Sequence, residues 1–306
     1  MNETKLLLYR AVESENYYDA EITEVLDRLE INWSKSQLVE IVDRLTRAHY
    51  PSLDRFVFDH NEHEPVIKAV MASSLLMKEY LNINNVYTTT KDNALRVIWQ
   101  SMYEAGASVS RELSKHNFIT FNYDRTLEHF LFMAIRYSGK YTEAEALKRL
   151  SSVPIVHVYG RLGKYDPDEL ADEAGTAADV LDSPTMIIDR IAESMKYIRL
   201  IGQGNNQREP DTLIGDMANL FEDTNRVVCL GYGYDNTNNT KIIEAYSRVK
   251  PECETDRSAH MACHWHGSAY KIPKRVRRRV NQTIGIPDKN LGNSHHKDTD
   301  FLNRVL

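Results

Sequence analysis

The segment Phe118-Ile119-Thr120-Phe121-Asn122-Tyr123-Asp124-Arg125-Thr126-Leu127-Glu128 constrains the fold more than any other stretch of this chain. Its apolar start, rich in aromatic and β-branched residues, predicts a strand at 117–121. The run then ends on polar side chains and passes directly into a helical pattern at about 125–137. In an open α/β sheet, ligands bind where strand ends meet helix starts. Asn122 and Asp124 fall at such a rim, and their side chains can grip a sugar or an amide. A second reading stays open: Asp124 caps the helix that follows, and Asn122 closes the turn.

The pattern recurs twice. Pro154-Ile155-Val156-His157-Val158-Tyr159 reads as a strand followed by the turn Gly160-Arg161-Leu162-Gly163. Arg226-Val227-Val228-Cys229-Leu230 reads as another, opening into Gly231-Tyr232-Gly233-Tyr234-Asp235-Asn236-Thr237-Asn238 and then a helix through Ile242, Ile243 and Tyr246. Short apolar strands, each followed by a helix, imply a parallel sheet covered on both faces. On one strand, His157 and Tyr159 would share a face and point toward the rim of Asn122. The alternative is a buried histidine satisfied by backbone. Gly231 and Gly233 let the backbone approach a ligand, and the helix start beyond them favours phosphate or ribose oxygens. Asn236 and Asn238 can bond a ribose hydroxyl. An ordinary strand-to-helix turn also explains these residues, because a bare G-x-G is a weak signal.

The first hundred residues read as helices. Ile22, Val25, Leu26 and Leu29 share one face, and Leu38, Ile41, Val42 and Leu45 another. Ser52 is an N-cap candidate. A long apolar helix runs through Val66, Ile67, Val70, Leu75, Leu76 and Met77, and a further helix covers about Ala94 to Leu113. Ala105-Gly106-Ala107-Ser108 lies inside that last pattern and reads as a close-packing helix face. Thr142 is a candidate N-cap for a helix through Leu147 and Leu150, and Ser183-Pro184 marks another helix start. The acidic stretch from Asp166 to Asp179 reads as a solvated loop. A helix spans about Asp211 to Phe221, His260 to Trp265 reads as a last strand, and two helices close the chain. The expected organisation is one domain over 1–306. It has a mainly helical part (1–115), a parallel-sheet nucleotide-binding core (116–270) and C-terminal helices (271–306).

With 306 residues, 42% of them hydrophobic, the chain can bury a sizeable core. A net charge of -6 argues against a dedicated nucleic-acid binder. No apolar run approaches the roughly 20 residues that span a bilayer, and Met1-Asn2-Glu3-Thr4-Lys5 lacks a signal-peptide layout. Three scattered cysteines, Cys229, Cys253 and Cys263, fit a reducing cytoplasm. His260, Cys263, His264 and His266 have zinc-binding chemistry, but one short segment does not readily surround an ion, so no metal is expected. Lys271, Lys274, Arg275, Arg277, Arg278 and Arg279 form a basic helix. The acidic balance of the chain favours a solvated face there over contact with nucleic acid or a partner.

Thr120-Phe121-Asn122-Tyr123-Asp124, Val156-His157-Val158-Tyr159-Gly160-Arg161-Leu162-Gly163 and Leu230-Gly231-Tyr232-Gly233-Tyr234 with Asn238 behind, in that order, resemble the sirtuin-like superfamily of NAD-binding proteins. The closest branch is the divergent bacterial one found in anti-phage defence proteins. Leu53-Asp54-Arg55-Phe56 is similar to that branch's segment ahead of its long apolar helix, and Phe301-Leu302 to its closing helix. The resemblance implies an α/β fold, a Rossmann-like parallel sheet with a large helical insertion or cap. It implies NAD as substrate or ligand and cleavage of the nicotinamide–ribose bond through an oxocarbenium-like state. On this resemblance Asn122 orients the ribose or the attacking water, and His157 is the general base. Asp124 helps hold the nicotinamide end, Gly231, Gly233 and Asn238 bind the adenosine side, and Thr120, Tyr159 and Gly160 complete the cofactor-binding set.

Two features depart from the family pattern. The family opens with a Gly-rich strand-turn-helix that cradles the NAD phosphates, whereas this chain starts in helix-like sequence. A start clipped from a longer gene and a loss of phosphate binding both accommodate that. The family also places its base histidine directly before the glycine, where this chain has Tyr159, a poor base at neutral pH. Three functions follow as expectations: an NAD glycohydrolase of bacterial anti-phage defence, an inactive NAD or ADP-ribose-binding module or regulatory subunit, and a nucleic-acid binder acting through the basic helix. The partners expected are a small-molecule nucleotide and a homo-oligomer or defence-system protein, with no membrane. Deacylation is disfavoured, since it comes with a four-cysteine zinc module.

Overall fold

The computed structural model describes residues 18–48, 53–88, 93–104, 113, 115–139, 141–167, 184–200, 208–250, 264–293, 295 and 297–305. It opens on helices α1 (Tyr18–Arg28), α2 (Lys35–Arg47), α3 (Leu53–Asp59), α4 (Glu64–Thr88) and α5 (Ala94–Glu104). Then come β1 (Phe118–Thr120), α6 (Thr126–Ser138), α7 (Glu143–Leu150), β2 (Ile155–His157), α8 (Pro184–Tyr197) and α9 (Arg208–Phe221). The last elements are β3 (Val227–Cys229), α10 (Asn236–Val249), β4 (Trp265–Gly267), α11 (Lys274–Thr283) and α12 (Asp298–Val305).

Helix dominates, and the described strands form two parallel pairs, β1 with β2 and β3 with β4. The broad parallel sheet expected from the sequence is therefore seen only as two-stranded pieces. Each strand is three residues long, and the first three stop with an apolar residue still to come, Phe121, Val158 and Leu230. The expectation of a strand over 154–159 needs correction. β2 stops at His157, and Gly160 bridges antiparallel to Ile198. His157 and Tyr159 therefore do not share a strand face; His157 is buried and Tyr159 half-buried. No helix among the described residues is long and apolar enough to cross a membrane. Ser52, Ala105 to Ser108, residues 168–183, His260 and Cys263 lie outside the described residues.

Local signals explain where helices start. Ser34 caps α2 by accepting from the Gln37 N–H, with Arg44 and Arg47 against the dipole of the last turn. Thr142 and Glu145 form a reciprocal capping box on α7. Asp235 caps α10 by accepting from the Thr237 and Asn238 N–H groups.

The chain divides into two compact units interleaved in sequence. One comprises Met1–Thr88, Thr120–Met133 and His157–Asn205, and the other Thr89–Ile119, Ala134–Val156 and Asn206–Leu306. In the first, α1, α2, α3, α4 and α8 surround a core that includes Leu26, Leu38, Ile41, Phe56, Ile67, Val70 and Ile191. The consecutive buried residues Ala69, Val70, Met71 and Ala72 make α4 a helix enclosed on several sides, which its apolar sequence requires. In the second unit α9 packs on α10 and α12 on α5. Trp265 of β4, fully buried, lies 6.1 Å from the Phe221 ring and 5.0 Å from the Tyr246 ring, centre to centre. These three rings form an aromatic nucleus among that unit's buried apolar residues.

Candidate functional site

The strand-to-helix crossing after β1 builds a polar cluster inside the first unit. Thr120 Oγ1 accepts from the Asn122 N–H at 3.1 Å, which folds the chain sharply out of the strand. Asp124 Oδ1 accepts from the Thr126 N–H at 3.2 Å, so Asp124 caps α6. The Asn122 side chain is exposed and makes no hydrogen bond among the described residues. Its backbone carbonyl points inward and accepts from His157 Nδ1 at 2.9 Å.

The other imidazole nitrogen of His157, Nε2, lies 2.8 Å from Glu128 Oε1, and both side chains are about 5% exposed. A carbonyl can only accept, so Nδ1 carries a proton. Burial opposes protonation of His157, but the Glu128 carboxylate, through its hydrogen bond and its charge, and the Asn122 carbonyl together raise its pKa. One proton therefore lies between Nε2 and Glu128 Oε1, since two facing lone pairs would repel at 2.8 Å. Glu128 Oε2, also buried, has no hydrogen-bond partner among the described residues. Glu128→Gln should lower the midpoint of His157 titration, read from its imidazole NMR signals across pH. An unchanged midpoint would rule out Glu128 as the source of the shift.

One turn before Glu128, immediately ahead of α6, Arg125 is locked to Glu79 of α4. Its Nη2 lies 2.8 Å from Glu79 Oε2 and its Nε 3.1 Å from Oε1, which also accepts from the Arg125 backbone N–H. Nη1 donates to the Lys164 carbonyl at 2.8 Å. Both partners are almost wholly buried. His129 follows, with Nδ1 3.2 Å from Tyr165 Oη. Burial, then the Arg125 charge, push its pKa down to about 4, so it is neutral.

Tyr159 stands beside two aromatic rings, with centres 5.9 Å from Phe121 and 6.3 Å from Tyr123. Gly160 follows with φ 78°, and a Cβ there would collide with the Tyr197 carbonyl oxygen. Its glycine character is therefore fully explained by the close approach of the chain at residues 197–199.

In the second unit, Gly231 has φ 56° and its N–H donates to Ser268 Oγ at 3.1 Å. Tyr234 is buried and donates its hydroxyl to the Ser268 carbonyl at 2.9 Å. That hydroxyl fills the space a Cβ on Gly267 would need. Gly233 is exposed with open space around it. Asn238 is half-buried, and Asn239 Nδ2 donates to the Tyr234 carbonyl at 3.1 Å. Burial pushes the Cys229 thiol up to about 12, far from a reactive thiolate. Among the described residues no cluster of three or more His, Cys, Asp or Glu could hold a metal ion.

Thr120, Asn122, Asp124, His157, Tyr159 and Gly160 thus belong to the first unit, and Gly231, Gly233 and Asn238 to the second. Sequence reasoning missed Glu79, Arg125, Glu128 and His129. A signal for three of them existed. Arg125, Glu128 and His129 share the 3-and-4 spacing of Phe132 and Ile135 and are buried on the same face of α6. Comparison with protein-family models, with curated proteins and with solved structures finds no match.

Proposed function

We propose that this chain is a sirtuin-like NAD-binding protein that cleaves the nicotinamide–ribose bond, an NAD glycohydrolase of bacterial anti-phage defence, acting in the cytoplasm. The reading takes the repeated order of strand, polar crossing and helix as Rossmann-like. One observation carries it. The exposed Asn122 side chain, unspent on any hydrogen bond among the described residues, stands past a strand end whose backbone is fixed by a buried His157–Glu128 pair. With its backbone fixed, this carboxamide has only its own side-chain rotations to settle before it can orient a ribose hydroxyl or a water at the anomeric carbon. The residues on hand fit the ribose and nicotinamide end of NAD better than its pyrophosphate, because the glycine turn beside the rim, Gly160 to Gly163, has Gly160 closed against the Tyr197 carbonyl.

The proton bookkeeping favours a second reading as well. Both nitrogens of His157 are engaged, Nδ1 on the Asn122 carbonyl and Nε2 on Glu128, so neither is open to take a proton from a substrate. That state suits an NAD or ADP-ribose-binding module or regulatory subunit without turnover. Incubation with NAD, with nicotinamide followed by chromatography, separates the two. Glycohydrolase activity predicts nicotinamide release that falls at least about 100-fold in Asn122→Ala, the scale seen when an oriented polar group is removed. A rise in melting temperature with ADP-ribose, without release, selects the binding module. Neither release nor a thermal shift overturns both.

A further inference from the structure

We propose that α11 and the turn before it form a docking surface for a nucleic-acid backbone, independent of the NAD reading. Lys274, Arg275 and Arg278 are exposed on this ten-residue helix. None of the three side chains has an ion pair or hydrogen bond with any described residue. No acidic residue lies on the helix. The one nearby carboxylate that pairs with it, Asp288, is held by Arg277 at 2.8 Å from Nη2 and 3.0 Å from Nε. Arg277 also donates to the Gly292 carbonyl, so it is structural. Arg279 is turned toward Asn236 Oδ1, 3.5 Å from Nη1. Among the described residues the face is therefore locally positive with no carboxylate paired to these three side chains, whatever the net charge of the whole chain.

The core side of α11 is apolar, with Val280 fully buried and Ile284 buried beyond the last turn. The helix is anchored on that side, so the opposite side keeps its cations in water. Positions 274, 275 and 278 lie within about a third of the helix circumference, and the step from 274 to 278 advances about 6 Å along the axis. Two of the three cations are guanidinium forks, which match phosphate oxygens in a way an ammonium does not. Tyr270 is exposed at the start of the segment, with Lys271 Nζ 5.0 Å from its ring centre. An aromatic ring among cations is the composition that backbone-plus-base contact uses. The shared chemistry is a phosphodiester backbone, and the strand form is left to the experiment.

The test is fluorescence anisotropy of the full chain with a labelled 20-nucleotide DNA, single-stranded in one arm and duplex in the other, from 50 to 200 mM salt. Three phosphate contacts predict a log–log salt slope of about -2.7 for duplex and about -2 for single strand. For duplex this weakens binding about 40-fold over the range. The triple variant Lys274→Glu, Arg275→Glu, Arg278→Glu should abolish binding with an unchanged melting temperature, since all three side chains are solvated. The arm that binds more tightly at 50 mM salt identifies the strand form. No binding by the wild type at 50 mM salt, binding that survives the triple variant, or equal displacement by poly-glutamate would each overturn the proposal.

Discussion

Glu79→Leu is expected to lower unfolding stability by about 3–5 kcal/mol, the cost of leaving a buried charge without its partner. Glu79 accepts from the Arg125 backbone and from two of its guanidinium nitrogens, and both side chains are about 2% exposed or less. With Glu79 gone, Arg125 keeps only the Lys164 carbonyl among these bonds, and its charge stays inside the first unit. The double variant Glu79→Leu, Arg125→Met should recover most of the loss, because apolar replacements of a buried pair are often neutral or better. Urea unfolding of the wild type, both single variants and the double variant completes the cycle. A loss under about 1 kcal/mol for Glu79→Leu would mean that the guanidinium reaches water when its partner is removed. The same pair fixes the first residue ahead of α6, so local exchange protection at the Asn122 crossing should fall in parallel.

The parts of the fold that follow from local chemistry were legible. Thr142 with Glu145 marks α7, the faces of α1 and α2 are the buried ones, and β1 runs into α6 within a residue of the predicted boundary. Length of strand was not legible. The apolar run from Pro154 to Tyr159 could pair throughout by its side chains, but the backbone at Gly160 is claimed by Tyr197 and Ile198, far along the chain. At the candidate site, the residues at the rim could be named, while their state could not. Asp124 spends its carboxylate on a cap, and the protonation of His157 depends on Glu128, one helix away. Glu79 is the limiting case. Nothing near it in sequence announces a partner 46 positions later, and an acid on an otherwise apolar helix only signals that some cation must be found.

Acidification from pH 7 to pH 4 should cost the folded state about 3 kcal/mol through His129 alone. The group has an ordinary pKa near 6.5 when unfolded and about 4 when folded, and the gap converts at 1.36 kcal/mol per pH interval. Between those values the unfolded chain binds the proton and the folded chain does not, so stability falls as pH falls, and the loss is complete below pH 4. His157 acts with the opposite sign. Its raised folded pKa stabilises the protein fully below about pH 6.5, and that contribution is lost as pH rises through the folded value. The two histidines therefore leave different marks, His129 on the acid limb and His157 on the alkaline limb. His129→Gln keeps a neutral hydrogen-bonding group toward Tyr165 Oη and removes the titration. The stability difference between wild type and this variant should change by about 3 kcal/mol between pH 7 and pH 4 in urea titrations, with the variant relatively more stable in acid. A difference that stays flat over that interval would show that protons reach His129 without unfolding, and that the Arg125 charge beside it is screened by water rather than held in a dry interior.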